Sequence, residues 1–159
     1  MFKYRVDTLI SREDIAIRVK ELANEINKDF EGEEVLFVGL LRGSVVFLAD
    51  LVREIEVEAT MDFMTVSSYG NSTESSRDVK IIKDLEEDIR GRNVIIVEDI
   101  VDTGFTLRKV EDILMTREPK KLKIVTLLDK PERREVEIDV EYIGFKIQDD
   151  FVVGYGIDF

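Results

Sequence analysis

The sequence contains no cysteine and no histidine. The first absence excludes disulfides, thiolate zinc sites and cysteine nucleophiles. The second excludes imidazole metal ligands, Ser-His triads and histidine acid/base catalysis. No apolar run approaches the ~20 residues of a membrane-spanning helix, so no membrane partner is expected. The opening Met1-Phe2-Lys3-Tyr4-Arg5-Val6-Asp7 lacks the apolar core and small-residue cleavage site of a signal peptide. Internal repeats, low-complexity tracts and Pro/Gly-rich linkers are also missing, so no domain boundary is placed. Basic residues are in deficit, 23 against 35 acidic, for a net charge of -12. That balance argues against a nucleic-acid partner. A cytoplasmic protein is expected, with chemistry limited to carboxylates, Lys, Arg, hydroxyls or a bound ion.

What is present suits one domain over residues 1–159. The length is close to the roughly 150 residues typical of a domain, and 44% of residues are hydrophobic. Ser11, followed by Asp14, reads as a helix N-cap with an acid at the third position. Ile15, Val19, Leu22, Ile26 and Phe30 then recur at helical spacing until Gly32. Residues 35–40, 94–97 and 122–128 are continuous apolar runs of strand length, the pattern of parallel strands covered on both faces. Ser44 reads as the cap of a second helix reaching about Ile55, with Val45, Leu48, Ala49 and Val52 turned inward. Residues 106–115 read as a third helix. Residues 61–67, 79–83, 140–144 and 152–155 read as further strands. Buried strands alternating with helices predict an α/β fold on a mainly parallel sheet.

Ligands of such sheets sit beyond the carboxyl ends of the strands. Those ends carry Leu41-Arg42-Gly43-Ser44, then Glu98, Asp99 and Asp102, then Lys130, with Asp149, Asp150, Phe151 and Asp158 following the late strands. Asp102-Thr103-Gly104 alone reads equally well as an ordinary helix cap after a turn. That reading leaves unexplained why Glu98 and Asp99 stand on the end of an apolar strand. Clustered acids repel unless a cation, hydroxyls or a base satisfies them. Thr103, Gly104 and Thr106 open a helix whose amides can hold a phosphate. The loop thus combines acids for sugar hydroxyls with amides for a phosphate.

The segment Val94-Ile95-Ile96-Val97-Glu98-Asp99-Ile100-Val101-Asp102-Thr103-Gly104 resembles the phosphoribosyl-diphosphate (PRPP) signature of the type I phosphoribosyltransferases. Gly39-Leu40-Leu41-Arg42-Gly43-Ser44, Val66-Ser67-Ser68-Tyr69-Gly70 and the stretch 145–158 extend the resemblance to the bacterial hypoxanthine and hypoxanthine-guanine members, in order, over essentially the whole chain. The resemblance implies transfer of phosphoribose from PRPP to a 6-oxopurine, hypoxanthine or guanine. It also implies a small hood formed by the chain ends, a Mg2+ cofactor, and a homodimer or homotetramer. It assigns Glu98 and Asp99 to the ribose hydroxyls and the metal, with Asp158 as a second metal carboxylate. Asp102 takes the role of general base, and neighbouring ionised acids are expected to raise its proton affinity. Asp102, Thr103, Gly104, Phe105 and Thr106 form the 5′-phosphate loop; Phe105 stands where relatives usually have a small or polar residue. Leu41, Arg42 and Gly43 contact diphosphate. Lys130 reads the purine O6, Phe151 stacks on the ring, and Val152 and Asp158 meet its edge. Ser68 and Tyr69 belong to a lid over the reacting centre, which excludes water.

Taken singly, Lys130 reads as an exposed lysine and Phe151 as core, while 68–78 reads equally as a lid or a plain loop. Gln148 replaces a usual proline, and the family's C-terminal strand and diphosphate-binding arginine are not found before Phe159. The family extension is therefore expected to be missing. Two rivals stay in view. A phosphorylated receiver domain would draw its acids from two strand ends, whereas these share one loop. A PRPP-sensing regulator would not need Lys130, Phe151 and Asp158 together.

Overall fold

A computed structural model describes residues 6–68 and 78–157. Its elements in chain order are α1 (Arg12–Asp29), β1 (Glu34–Leu40), α2 (Val45–Val52), β2 (Glu58–Ser68), β3 (Val79–Lys83), β4 (Asn93–Val101), α3 (Phe105–Met115), β5 (Lys121–Asp129), a 3-10 turn over Pro131–Arg133, and β6 (Tyr142–Lys146). The six strands form one sheet in the order β3-β2-β1-β4-β5-β6. All pairs are parallel except β2 with β3, which is antiparallel. The predicted α/β architecture is therefore the observed one.

Strand alternation explains the two-sided core. Val35, Phe37, Ile95, Val97, Val125 and Leu127 pack under α1 and α2 through Leu22, Ile26, Phe47 and Leu51. Their neighbours Leu36, Val38, Val94, Ile96 and Ile124 pack on the other face against Leu107, Val110 and Leu114 of α3. A period of two thus sends successive residues to opposite layers, and each layer is roofed by a helix. Ser11 does cap α1, accepting the Asp14 amide at 3.0 Å.

Several boundaries differ from the sequence reading. α2 ends at Val52 and buries Phe47, Leu48 and Leu51, while Val45 and Ala49 are exposed. The alternative stripe has the same spacing and carries the larger side chains. The Ser44 hydroxyl caps nothing; it donates to the Leu40 carbonyl at 2.6 Å. β4 continues through Glu98 and Asp99 to Val101, because β5 goes on pairing with it after β1 has stopped at Val97. Residues 152–155 are not a strand. Only a Gly154–Ile157 bridge forms, and Gly154, Tyr155 and Gly156 all take positive φ (95°, 54° and 80°), which turns the chain too tightly for a ladder.

The strand order also fixes the site. From β1 the chain proceeds to β2 and β3 on one side; from β4 it proceeds to β5 and β6 on the other. The crevice beyond the carboxyl ends of β1 and β4 is the topological switch point, where open α/β sheets bind ligands.

Candidate active site

Both strands deliver sequence-predicted residues to that crevice. β1 runs into Leu41, Arg42 and Gly43, and β4 carries Glu98 and Asp99 in its last turns of ladder. Gly43 packs directly on Asp99. A Cβ built there would lie 2.0 Å from Asp99 Oδ2 and 2.8 Å from its Cγ, so only glycine lets the loop come this close. The Leu41 amide donates to the Met64 carbonyl at 2.9 Å, which holds the loop to β2.

The two acids are half-buried. Asp99 Oδ1 accepts the Ile100 amide at 2.8 Å, and Glu98 Oε1 accepts the Asp99 amide at 3.0 Å. Burial pushes the Glu98 carboxyl well above the usual carboxylate range, and Asp99 beside it adds to the shift. Ionising Glu98 therefore carries a cost, which a bound cation would offset.

Beyond β4, Gly104 occupies the N-cap of α3 at φ 93°, a left-handed conformation suited to glycine. Its ideal Cβ would press on Arg134 and Val136 at 3.2 Å. The helix therefore begins at Phe105, one residue earlier than the sequence pattern indicated. The amides of Phe105 and Thr106 lie in its first turn, where N–H groups and the helix dipole favour a phosphate. Thr103 Oγ1 reaches the Phe105 amide at 3.5 Å. Ser68 at the end of β2 meets Thr106 across the crevice, hydroxyl to hydroxyl, at 3.1 Å. Tyr69 and Asp158 lie outside the described residues.

Lys130 leaves β5 beside this loop, its amide bonded to the Val101 carbonyl at 2.9 Å. Its side chain is only 10% exposed, and Nζ stands 3.7 Å from Asp149. With one long ion pair among the described residues, this buried ammonium retains donors for a ligand oxygen. Phe151 and Val152 follow β6 on the last described stretch of chain. They line a groove of about 710 Å³ with Leu127, Leu128 and the first described residues, including Leu9 and Ile10, so the first and last described stretches lie together. Phe151 is 91% exposed there, which contradicts a core reading of it.

Three charged residues went unnoticed in the sequence. Arg133 Nε donates to Asp102 Oδ1 at 2.8 Å, and Arg134 Nε donates to the Asp102 carbonyl at 3.1 Å. Arg134 also pairs with the buried Asp129. The group touching the Asp102 carboxylate is thus a cation, contrary to the expectation of neighbouring acids. The Asp102 bond in turn raises the Arg133 pKa. An Arg-Arg pair starting three residues after Lys130 was the available signal, but in sequence it reads as a solvated turn.

Comparison with known proteins places the chain in a family. Residues 6–159 match the phosphoribosyl transferase domain, so the chain belongs to the phosphoribosyltransferase family of glycosyl-transferring enzymes. Within that family, relatives 46–56% identical to it are hypoxanthine and hypoxanthine-guanine phosphoribosyltransferases. The hypoxanthine phosphoribosyltransferase of Salmonella typhimurium is 56% identical over 159 residues, covering 99% of this chain and 89% of the relative. The hypoxanthine-guanine phosphoribosyltransferase of Bacillus subtilis is 47% identical over 160 residues, covering 100% of this chain and 89% of the relative. A crystal structure of a hypoxanthine-guanine phosphoribosyltransferase from Bacillus anthracis superposes with a TM-score of 0.94 at 54% identity, over 98% of this chain and 91% of that one.

Proposed function

We propose that the chain serves purine salvage by joining hypoxanthine or guanine to PRPP, yielding IMP or GMP and diphosphate. The observation that carries this reading is the meeting of the Gly43 loop with Asp99 at the switch point, beside the N-terminus of α3. One crevice so holds donors for a diphosphate, acids for a ribose and amides for a 5′-phosphate.

The donor set at the strand end suits a divalent cation. Adjacent carboxylates, one of them with its proton affinity raised by burial and by the other, are the oxygen ligands that Mg2+ takes in ones and twos alongside water and phosphate. Glu98 and Asp99 would hold Mg2+, with Asp158 as a further carboxylate. The ion supplies neutralising charge for the departing diphosphate. The −12 net charge makes such local reversal of the field necessary for an anionic substrate.

The remaining work falls to the chain. The amides of Phe105 and Thr106 anchor the 5′-phosphate and set the ribose against Glu98 and Asp99. Lys130 donates to the purine O6, which orients the base, and Phe151 stacks on it with Val152 at its edge. Purine nitrogen N9 attacks ribose C1 as the C1–oxygen bond to diphosphate breaks, and diphosphate leaves with the electron pair. The Asp102 carboxylate accepts the proton released by the purine ring. Leu41, Arg42 and Gly43 receive the diphosphate, while Ser68 and Tyr69 exclude water that would otherwise trap an oxocarbenium-like ribose.

The test is product formation. Protein is incubated with PRPP, Mg2+ and hypoxanthine, guanine or adenine in turn, and nucleotides are separated by chromatography. IMP and GMP are expected, and AMP is not. Absence of product from both oxopurines overturns the reading.

A further inference from the structure

The loop after β5 is fastened to the Asp102 loop along its whole length. The Lys130 amide holds the Val101 carbonyl, and the Glu135 amide holds the Thr103 carbonyl at 2.9 Å. Between them Pro131 opens a 3-10 turn whose own bonds run from Arg133 to Lys130 and from Arg134 to Pro131. A proline at the first turn position adds a preset φ. Arg133 therefore projects from a constrained platform. Its Nε occupies Asp102 Oδ1, and its Nη1 stands 3.8 Å from Asp149 Oδ2. The other oxygen of Asp149 is the one near Lys130, at 3.7 Å. Among the described residues, Asp102 Oδ2 has no hydrogen-bond partner.

We propose that Arg133 is the positioning residue of the Asp102 carboxylate, engaging Oδ1 so that Oδ2 faces the purine. This rests on the phosphoribosyl-transfer reading and deepens it. A carboxylate on a free Cβ–Cγ bond samples a broad range of orientations. A guanidinium on one oxygen reduces that range while leaving the other oxygen to take a proton. Asp149, shared by Arg133 and Lys130, ties this orientation to the side chain that registers the base. Proton acceptance and base recognition are so set by one short chain of charges, Asp102–Arg133–Asp149–Lys130. The Arg133–Asp102 pair is about half exposed on both sides (45% and 46%). Such pairs add little to stability, so its removal should leave the fold intact and act on the chemistry.

The experiment is a double-mutant cycle on turnover with Arg133→Ala and Asp102→Asn. Arg133→Ala should lower kcat by about 10- to 100-fold, the scale of a small misplacement of a catalytic group. The KM for PRPP should stay within about twofold, because no PRPP contact is lost. In the Asp102→Asn background the same change should cost almost nothing, since Arg133 acts only through the carboxylate. Arg133→Lys, which keeps a cation in reach, should recover part of the loss; Arg133→Gln replaces the alanine in the cycle if that chain does not fold. Wild-type kcat in Arg133→Ala overturns the proposal, as does an equal loss in both backgrounds. A wild-type protein that makes no nucleotide refutes the transfer reading instead, so the two failures are distinct.

Discussion

Gly43→Ala should show how tightly the two strand ends are fitted. The added Cβ would lie 2.0 Å from Asp99 Oδ2 and 2.8 Å from Cγ, far inside any allowed contact. Asp99 is the member of the pair that can yield, by turning about χ1. In turning it gives up its 2.8 Å bond from the Ile100 amide. A lost hydrogen bond costs about 0.5–1.5 kcal/mol. A side chain forced from its rotamer costs a similar ~0.5–1.5 kcal/mol. The sum, about 1–3 kcal/mol, matches what overpacking usually costs. At about 2–4 °C per kcal/mol for a domain of this size, Tm should fall by about 2–12 °C. Thermal unfolding followed by circular dichroism reads this directly. Activity should fall more than stability does. Displacing a group that supports a metal ligand typically costs about 10–100-fold, which should appear as a higher Mg2+ requirement. In an Asp99→Ala background the clash has no partner, and the Tm cost of Gly43→Ala should vanish. An unchanged Tm in the single variant, or an equal loss in both backgrounds, would refute the contact.

Asp102→Asn should fold normally and lose about 10²–10⁴-fold in kcat, the usual value of general-base catalysis; undiminished turnover removes Asp102 from the mechanism. Excess chelator should abolish activity, and a divalent cation should restore it. The cation should also raise Tm. Because the Glu98 pKa is higher folded than unfolded, its ionisation costs stability as pH rises and its protonation relieves that cost as pH falls. The stabilisation by cation should therefore grow from acid toward alkaline pH, and the opposite trend would contradict the site. Lys130→Ala should narrow the preference for hypoxanthine over adenine, since a buried donor facing the adenine amino group costs about 1–3 kcal/mol. Equal use of adenine by the wild-type protein would sink the O6 assignment.

What the sequence made legible depended on how locally each feature is encoded. The buried strands were visible because a parallel strand covered on both faces must be apolar at every position, as at Val94-Ile95-Ile96-Val97. Glu98 and Asp99 stood out by breaking that run, and Gly104 by opening a helix. The late segment was misread because Val152-Val153 looks like strand. Its course is decided instead by glycines at positive φ and by Tyr155, whose hydroxyl is anchored to Asp50 on α2. The need for glycine at position 43 was equally hidden, because it arises from a carboxylate on a different strand. Arg133 and Arg134 follow the same logic. Nothing in Lys130-Pro131-Glu132-Arg133-Arg134 distinguishes a solvated turn from a clamp, and only the adjacency of β4 and β5 brings Asp102 within 2.8 Å of Arg133. Residues that touch substrate leave a motif because their types and spacing are dictated by the substrate's own chemistry. Residues that aim them are dictated by the neighbouring strand, so they become readable only once the sheet order is known.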